Sequence, residues 1–300
     1  MKKDKLMRQL PLHIMLIPAI IIVLIFSYLP MAGIVIAFQK FKPVQGLFGP
    51  QEWVGFDNFS YVFKLPSFIR VIWNTIYIAL LKIITGLIVP ISIAVLINEI
   101  KNISYKRTMQ TMVYLPHFLS WVLLGGILIE VLSPSEGLVN KLLGLISIQP
   151  IFFLGSNKWF PITIVATNLW KEFGFSTIVY LAAITSIDPN LYESATIDGA
   201  NRWKKVWNIT IPCISNIIIL LSVLSLGNIL NAGFDQVFNL YNVQVYESGD
   251  IIDTFVYRLG LIEAQFGVAT AVGLFKSFVS LIFITTSYYL AYRYADYQIF

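Results

Sequence analysis

Six apolar stretches, each long enough to cross a lipid bilayer, leave this 300-residue chain few alternatives to a polytopic membrane fold. A span needs roughly 20 apolar residues, because the hydrocarbon layer is about 30 Å thick and a helix rises 1.5 Å per residue. The stretches run from about Leu12 to Phe38, Val71 to Ile97, Met109 to Leu132, Phe160 to Ile187, Ile209 to Leu230 and Gly267 to Tyr292. Only 12% of the residues are charged and 57% are hydrophobic, against about a quarter charged in soluble domains, so the chain cannot bury its apolar surface in itself. The expected fold is an all-α integral membrane protein, with one transmembrane domain over residues 1–300 and six transmembrane helices. Pro18 and Pro90 fall inside spans, where proline kinks a helix without forbidding it.

The basic residues set the expected orientation. Lys2, Lys3, Lys5, Arg8, Lys101, Lys106, Arg107, Arg202, Lys204, Lys205 and Arg293 fall in alternate segments beside the spans, and the remaining segments hold fewer. By the positive-inside rule both termini are cytoplasmic. The net charge of +5 is read in the same way and not as a nucleic-acid surface. The N-terminal apolar run is longer than a signal peptide core and lacks a small-residue cleavage site, so it reads as a span. The outer segments Gln39 to Phe68 and Ser133 to Trp159 mix Gly, Pro and aromatic residues, as ordered caps at the membrane surface would.

Chemistry is scarce in the composition. Cys213 is the only cysteine, and His13 and His117 are the only histidines, which leaves no basis for a disulfide framework, a metal site or a catalytic triad. No catalytic or metal-binding residue is expected. Gly-Lys-Ser and Gly-Lys-Thr are also absent, so the cradle that holds nucleotide phosphates is not encoded here. The chain reads as a non-enzyme without a cofactor of its own.

The segment from Asp188 to about Asn208, between the fourth and fifth stretches, has the marks of a built object. Asp188 can cap a helix that Pro189 pre-shapes, and Gly199 can supply the left-handed residue that closes it. From Asn201 to Asn208, Arg202, Lys204 and Lys205 alternate with Trp203, Val206 and Trp207, a pattern suited to a membrane surface. Pro212 is then expected to open the fifth span. Small residues at the corner (Ser194, Ala195, Gly199, Ala200) permit close approach of a partner, and Glu193 and Asp198 offer it charges.

Glu193-Ser194-Ala195, Asp198-Gly199-Ala200, Ile209 and Ile211-Pro212 resemble the signature loop of bacterial ABC importer permeases. Ser194 stands where that family usually has alanine, and Ile211 where it has leucine. The resemblance implies that Pro189 to Ala200 is a cytoplasmic coupling helix seated on an ATPase subunit. Further likeness to carbohydrate permeases is carried by Trp53-Val54-Gly55-Phe56-Asp57-Asn58-Phe59, Asn74-Thr75, Leu115-Pro116, Ser120-Trp121 and Tyr180-Leu181-Ala182-Ala183. Gly233-Phe234-Asp235-Gln236 and Ile251 to Arg258 resemble the branch assigned to complex oligosaccharides.

That resemblance implies a multi-pass protein of the bacterial cytoplasmic membrane and a heterodimer with a second related permease. It also implies two ATPase domains that bind ATP and magnesium, and an extracytoplasmic solute-binding protein that delivers a carbohydrate. The alternative is an ion-coupled secondary transporter or channel, in which Lys82, Lys171, Glu172 and Lys276 would be coupling charges. Lys171 and Glu172 point about 100° apart on a helix, and partners on other spans are expected for them.

Ser225, Asn228, Asn231 and Asp235 recur at intervals that place them along one helical face. Together with Asn168, Trp121 and Trp170 they are the candidate lining of a sugar pathway, since sugars pair hydroxyl groups with apolar ring faces. The same groups would serve equally to bond helices to one another. The Trp53 to Phe59 segment is likewise either an interfacial anchor or a functional contact.

Overall fold

The computed structural model describes residues 2–47 and 49–295, with the side chains of residues 2–12 and 294–295 excepted. The side chains of Lys2, Lys3, Lys5 and Arg8, on which part of the orientation argument rests, therefore lie outside the described residues. Helix α1 (Lys2–Val23) runs on through a π turn (Leu24–Tyr28) and a 3-10 segment (Leu29–Phe38). A two-residue hairpin follows, β1 (Gln39–Lys40) pairing antiparallel with β2 (Glu52–Trp53). Then come α2 (Asp57–Lys64), α3 (Pro66–Asn98), α4 (Ile103–Tyr114), α5 (Trp121–Val131), α6 (Leu138–Leu145) and α7 (Phe160–Thr185). After α7 lie α8 (Pro189–Ile197), α9 (Arg202–Lys205), α10 (Ile211–Cys213) and α11 (Ser215–Gly227). The chain continues with α12 (Phe234–Leu240), α13 (Tyr246–Gly249), α14 (Ile252–Tyr257) and α15 (Phe266–Ala295).

Among the described residues, three helical stretches are long and apolar enough to cross a membrane: His13–Phe38, Pro66–Asn98 and Phe266–Arg293. Two bent pairs bring that number to five if each is one span. Helix α7 has 26 residues and is about 39 Å long, enough to cross the hydrocarbon layer, but Asn168, Lys171 and Glu172 at its middle keep it out of that apolar set.

Two expected spans are not single helices. The stretch expected at Met109 to Leu132 is two helices, Ile103–Phe118 and Trp121–Val131, meeting at 101°. Pro116 lacks the N–H that would continue α4, the last turn tightens to 3-10, and the hydroxyl of Ser120 then accepts from Leu123 N at 3.3 Å to cap a new helix. In place of Ile209 to Leu230, a helical run from Arg202 to Cys213 meets Ser215–Gly227 at 62°. Pro212 therefore ends one helix where it was expected to open a span. Its carbonyl accepts from the Ser215 hydroxyl at 2.7 Å, and Ile214 takes the turn between them.

The chain forms two compact units, one made of the residues up to Leu65 with Val256–Phe275, the other of Pro66–Phe255 with the residues from Lys276 on. In the first, the Trp53 to Phe59 segment closes an aromatic box. Phe38 stacks on Trp53 at 5.7 Å and meets Phe56 edge-on at 5.5 Å and Phe59 at 5.4 Å. Asn58 donates to the carbonyls of Ala37 and Gln39 at 2.9 and 3.1 Å, which satisfies backbone acceptors where helix gives way to strand. A side chain at Gly267 would collide with the Gln39 carbonyl and the Asn58 amide, so this turn of α15 must be bare. The motif thus packs this loop onto the end of the helical run that precedes it.

In the second unit α3 and α7 pair along most of their lengths. Gly174 brings α7 against α4 so closely that a Cβ there would lie 2.0 Å from the Val113 carbonyl oxygen. Asn74 donates to the carbonyls of Glu247 and Asp250, and Thr75 Oγ1 accepts from Ile252 N at 2.9 Å. Two stretches distant in sequence, Asn74-Thr75 and Glu247 to Ile252, are therefore one joint. Asn140, buried on α6, bonds Ser133 O and both backbone groups of Ile151, which orders the outer segment expected to be a cap.

Candidate functional site

The corner between α8 and α9 is built by local chemistry. Asp188 accepts from Asn190 N at 3.0 Å, and Pro189 occupies the first helical turn, where its missing donor costs nothing. At the other end Gly199 has φ +76°, and Ala200 N donates to Ala195 O at 2.8 Å while Gly199 N donates to Thr196 O at 3.1 Å. Those two bonds and the left-handed glycine form a Schellman closure, which satisfies carbonyls the helix end would leave open. Asn201 then caps α9 by accepting from Lys204 N at 2.9 Å.

Glu193, Ser194, Asp198 and Gly199 are exposed, and Ala195 and Ala200 are half-buried. Ile197 is 88% exposed at the apex, and Trp203 and Trp207 are exposed beside it. The corner is braced from behind: Tyr192 Oη lies 2.9 Å from Thr210 Oγ1, Lys205 Nζ donates to Thr196 Oγ1 at 2.6 Å, and Arg202 reaches Glu99 at 3.7 Å. Next in the chain lies an apolar core of Ala94, Ile97, Tyr180, Leu181, Ile184 and Ile214. It joins the ends of α3 and α7 to the start of α11, so α8 is attached to packed helices on both sides and not to a loose linker.

A cavity of about 410 Å³, its lining a mixture of apolar and polar residues, lies among α3, α7 and α11, a size typical of small-molecule sites. Asn168, Ser225, Asn228 and Asn231 line it, together with Lys82 and Ser176. Asp235, Trp121 and Trp170 are outside its lining: Asp235 is exposed on α12, and Trp170 is 47% exposed on α7. The four residues of the fifth-span stripe do not share a helix, because α11 ends at Gly227 and Asn228 is its C-terminal cap. Ser225 and Asn228 belong to that helix end, Asn231 to the following turn, and Asp235 to α12.

The charges expected inside spans find partners that spacing alone conceals. Lys171 and Glu172 were expected to look elsewhere, yet Lys171 Nζ lies 3.1 Å from Glu172 Oε1. Both also reach His117 at the bend after α4: Lys171 donates to its carbonyl at 2.7 Å, and Glu172 Oε2 lies 2.8 Å from its Nδ1. Long side chains close the angle that their Cβ directions open, and burial of Lys171 makes an unpaired ammonium costly. The His117 ring stacks on Phe175 at 4.4 Å, and the Lys171 ammonium sits 5.6 Å from the centre of Trp121. Lys276 is 2.5 Å from Asp253. Lys82 donates to Ala232 O at 2.6 Å and to Gln236 Oε1 at 2.5 Å. Gln236, buried, passes the network on to Ile164 O and Thr167.

No partner was expected for His117, nor for Gln236, which entered only in a family resemblance, yet each holds a charged group of another helix. The signals were present in Leu115-Pro116-His117, where proline forces a bend beside a histidine, and in Gly233 to Gln236, where Gly233 adopts φ +93°.

Residues 83–296 match the family described as "Binding-protein-dependent transport system inner membrane component", and the chain belongs to it. It is 40% identical to the Polygalacturonan/rhamnogalacturonan transport system permease protein YteP of Bacillus subtilis (strain 168), over 97% of this chain and 91% of that protein. It is also 40% identical to Protein LplB of the same organism, over 98% of this chain and 91% of that one. Among solved structures it resembles a chain of a bacterial ABC transporter involved in the import of the acidic polysaccharide alginate. The TM-score is 0.89 at 42% identity, covering 97% of this chain and 98% of that chain.

Proposed function

We propose that this chain is the permease subunit of an ATP-binding-cassette importer that moves an oligosaccharide across the bacterial cytoplasmic membrane by alternating access. In this reading six spans cross the bilayer with both termini inside, the bent pairs and α7 being spans alongside the three apolar helices. Separate ATPase subunits bind ATP and magnesium, and their closing pulls on the corner formed by Glu193, Ser194, Ala195, Asp198, Gly199 and Ala200. A second related permease completes the pathway, and a solute-binding protein delivers the sugar from outside.

One observation carries the coupling role: α8 is exposed at its tip, yet tied through Tyr192 and Thr210 and through the Ala94 to Ile214 core to the ends of three long helices. A load applied at Ile197 therefore reaches α3, α7 and α11 without first deforming a flexible loop. Family membership favours an importer over an ion-coupled carrier, and supports a transport role in place of enzymatic chemistry. A relative of known structure, 42% identical, was solved in complex with an alginate pentasaccharide-bound periplasmic protein, which supports the proposed binding-protein partner.

Reconstitution tests the reading. Vesicles carrying this chain with its partner permease and ATPases should accumulate labelled oligosaccharide only when ATP is supplied on the ATPase side and the binding protein on the other. Accumulation driven by an ion gradient with no ATP would overturn it.

A further inference from the structure

We infer that the cavity among α3, α7 and α11 is a binding site for an acidic sugar, with Lys82 as the group that receives its carboxylate. The inference rests on the importer reading for its physiological sense, but the site is argued from its own geometry.

Among the described residues, Lys82 is the one charged residue in the cavity lining. An ammonium has three N–H donors, and Lys82 directs two of them to neutral acceptors, the Ala232 carbonyl and Gln236 Oε1. The third remains for a ligand. The other intramembrane lysines differ, for Lys171 lies against Glu172 and Lys276 against Asp253. The carboxylate of Glu172, which would otherwise repel an anion, is engaged by Lys171 and His117. Lys82 is thus held at a fixed point, by acceptors that do not neutralise it, on the wall of an open cavity.

Its surroundings suit a hydroxyl-rich anion. Among the described residues, the side chains of Asn168, Ser176 and Asn231 make no hydrogen bond, so each has donors and acceptors to offer. Asn228 commits its amide N–H to Leu224 O and keeps its carbonyl oxygen. Pro90 removes the helical donor for the Gly86 carbonyl, and Gly86 lies in the same wall. Uncommitted amides and the Ser176 hydroxyl, in the same lining as one cation, match a uronic acid unit, which carries one carboxylate and several hydroxyls. A neutral sugar would leave the ammonium's last donor without an anionic partner.

The test measures binding to the assembled importer in nanodiscs, without its binding protein, so that only the permease pathway discriminates. The probes are trigalacturonate and the same trisaccharide with its carboxylates reduced to alcohols. Wild-type importer should bind trigalacturonate tighter by about ten-fold or more, the range expected for a charge-assisted hydrogen bond. Lys82→Arg should keep that preference. Lys82→Gln, which keeps hydrogen-bonding capacity but not charge, should reduce it to near unity while retaining binding of the neutral trisaccharide. Equal affinity of wild type for the two probes, binding of neither, or a preference that survives in Lys82→Gln would each overturn the inference. The wild-type comparison decides the matter even if Lys82→Gln fails to assemble. ATP-dependent uptake by the same preparation reports separately on the importer reading.

Discussion

Tyr192 and Thr210, eighteen residues apart, face each other across the corner of α8 and α9 with their hydroxyl oxygens 2.9 Å apart. This contact ties the exposed helix directly to the helical run that leads into α11. It braces the corner in the direction along which the proposed pull would travel.

Replacing Tyr192 by phenylalanine removes that bond and leaves the ring. The loss should cost about 1 kcal/mol, too little to unfold the chain. In reconstituted vesicles the expected outcome is an ATPase rate close to wild type with fewer sugars moved per ATP. A transport ratio unchanged within error would mean that the bond is not in the path of force.

Gly199 separates strain from contact. Its φ of +76° disfavours any side chain by about 1–2 kcal/mol, yet among the described residues nothing lies within 4 Å of the position a Cβ would take. Gly199→Leu should therefore insert and fold, but project bulk outward where the proposed ATPase contact would lie, and ATP hydrolysis should no longer drive uptake. Gly199→Asn, which tolerates the left-handed backbone better, should fold more stably than the leucine variant. If the leucine variant transports normally with ATP, the corner is not a docking surface.

Gly174 has the opposite character. A methyl group there would lie 2.0 Å from the backbone oxygen of Val113, so α4 and α7 would have to separate. Gly174→Ala should lower stability by about 1–3 kcal/mol, read as a reduced melting midpoint in detergent. Gly126→Ala is the matched control, with open space among the described residues where its new methyl group would lie, and should melt near wild type.

Elements that depend on neighbours a few residues away were legible in advance. The Asp188 cap, the Pro189 start and the Gly199 closure involve residues no more than five apart, so residue type and order suffice to specify them. The long apolar helices were legible for a related reason, since a bilayer demands length and hydropathy before any tertiary contact exists. Continuity was harder to read. Pro116 and Pro212 were visible, but proline permits either a kink within a span or a break between two helices, and packing around each bend selects between them.

What the amino-acid order determined by itself was a multi-spanning helical chain with a capped, glycine-closed corner outside the apolar stretches. Tertiary structure alone decided which polar groups meet. Lys82 reaches Gln236 across 154 positions, Glu172 reaches His117 across 55, and Asn74 reaches Asp250 across 176. The physical reason is range: a cap is a property of one turn of helix, whereas a cavity wall or a buried charge cluster exists only where separate helices have already packed.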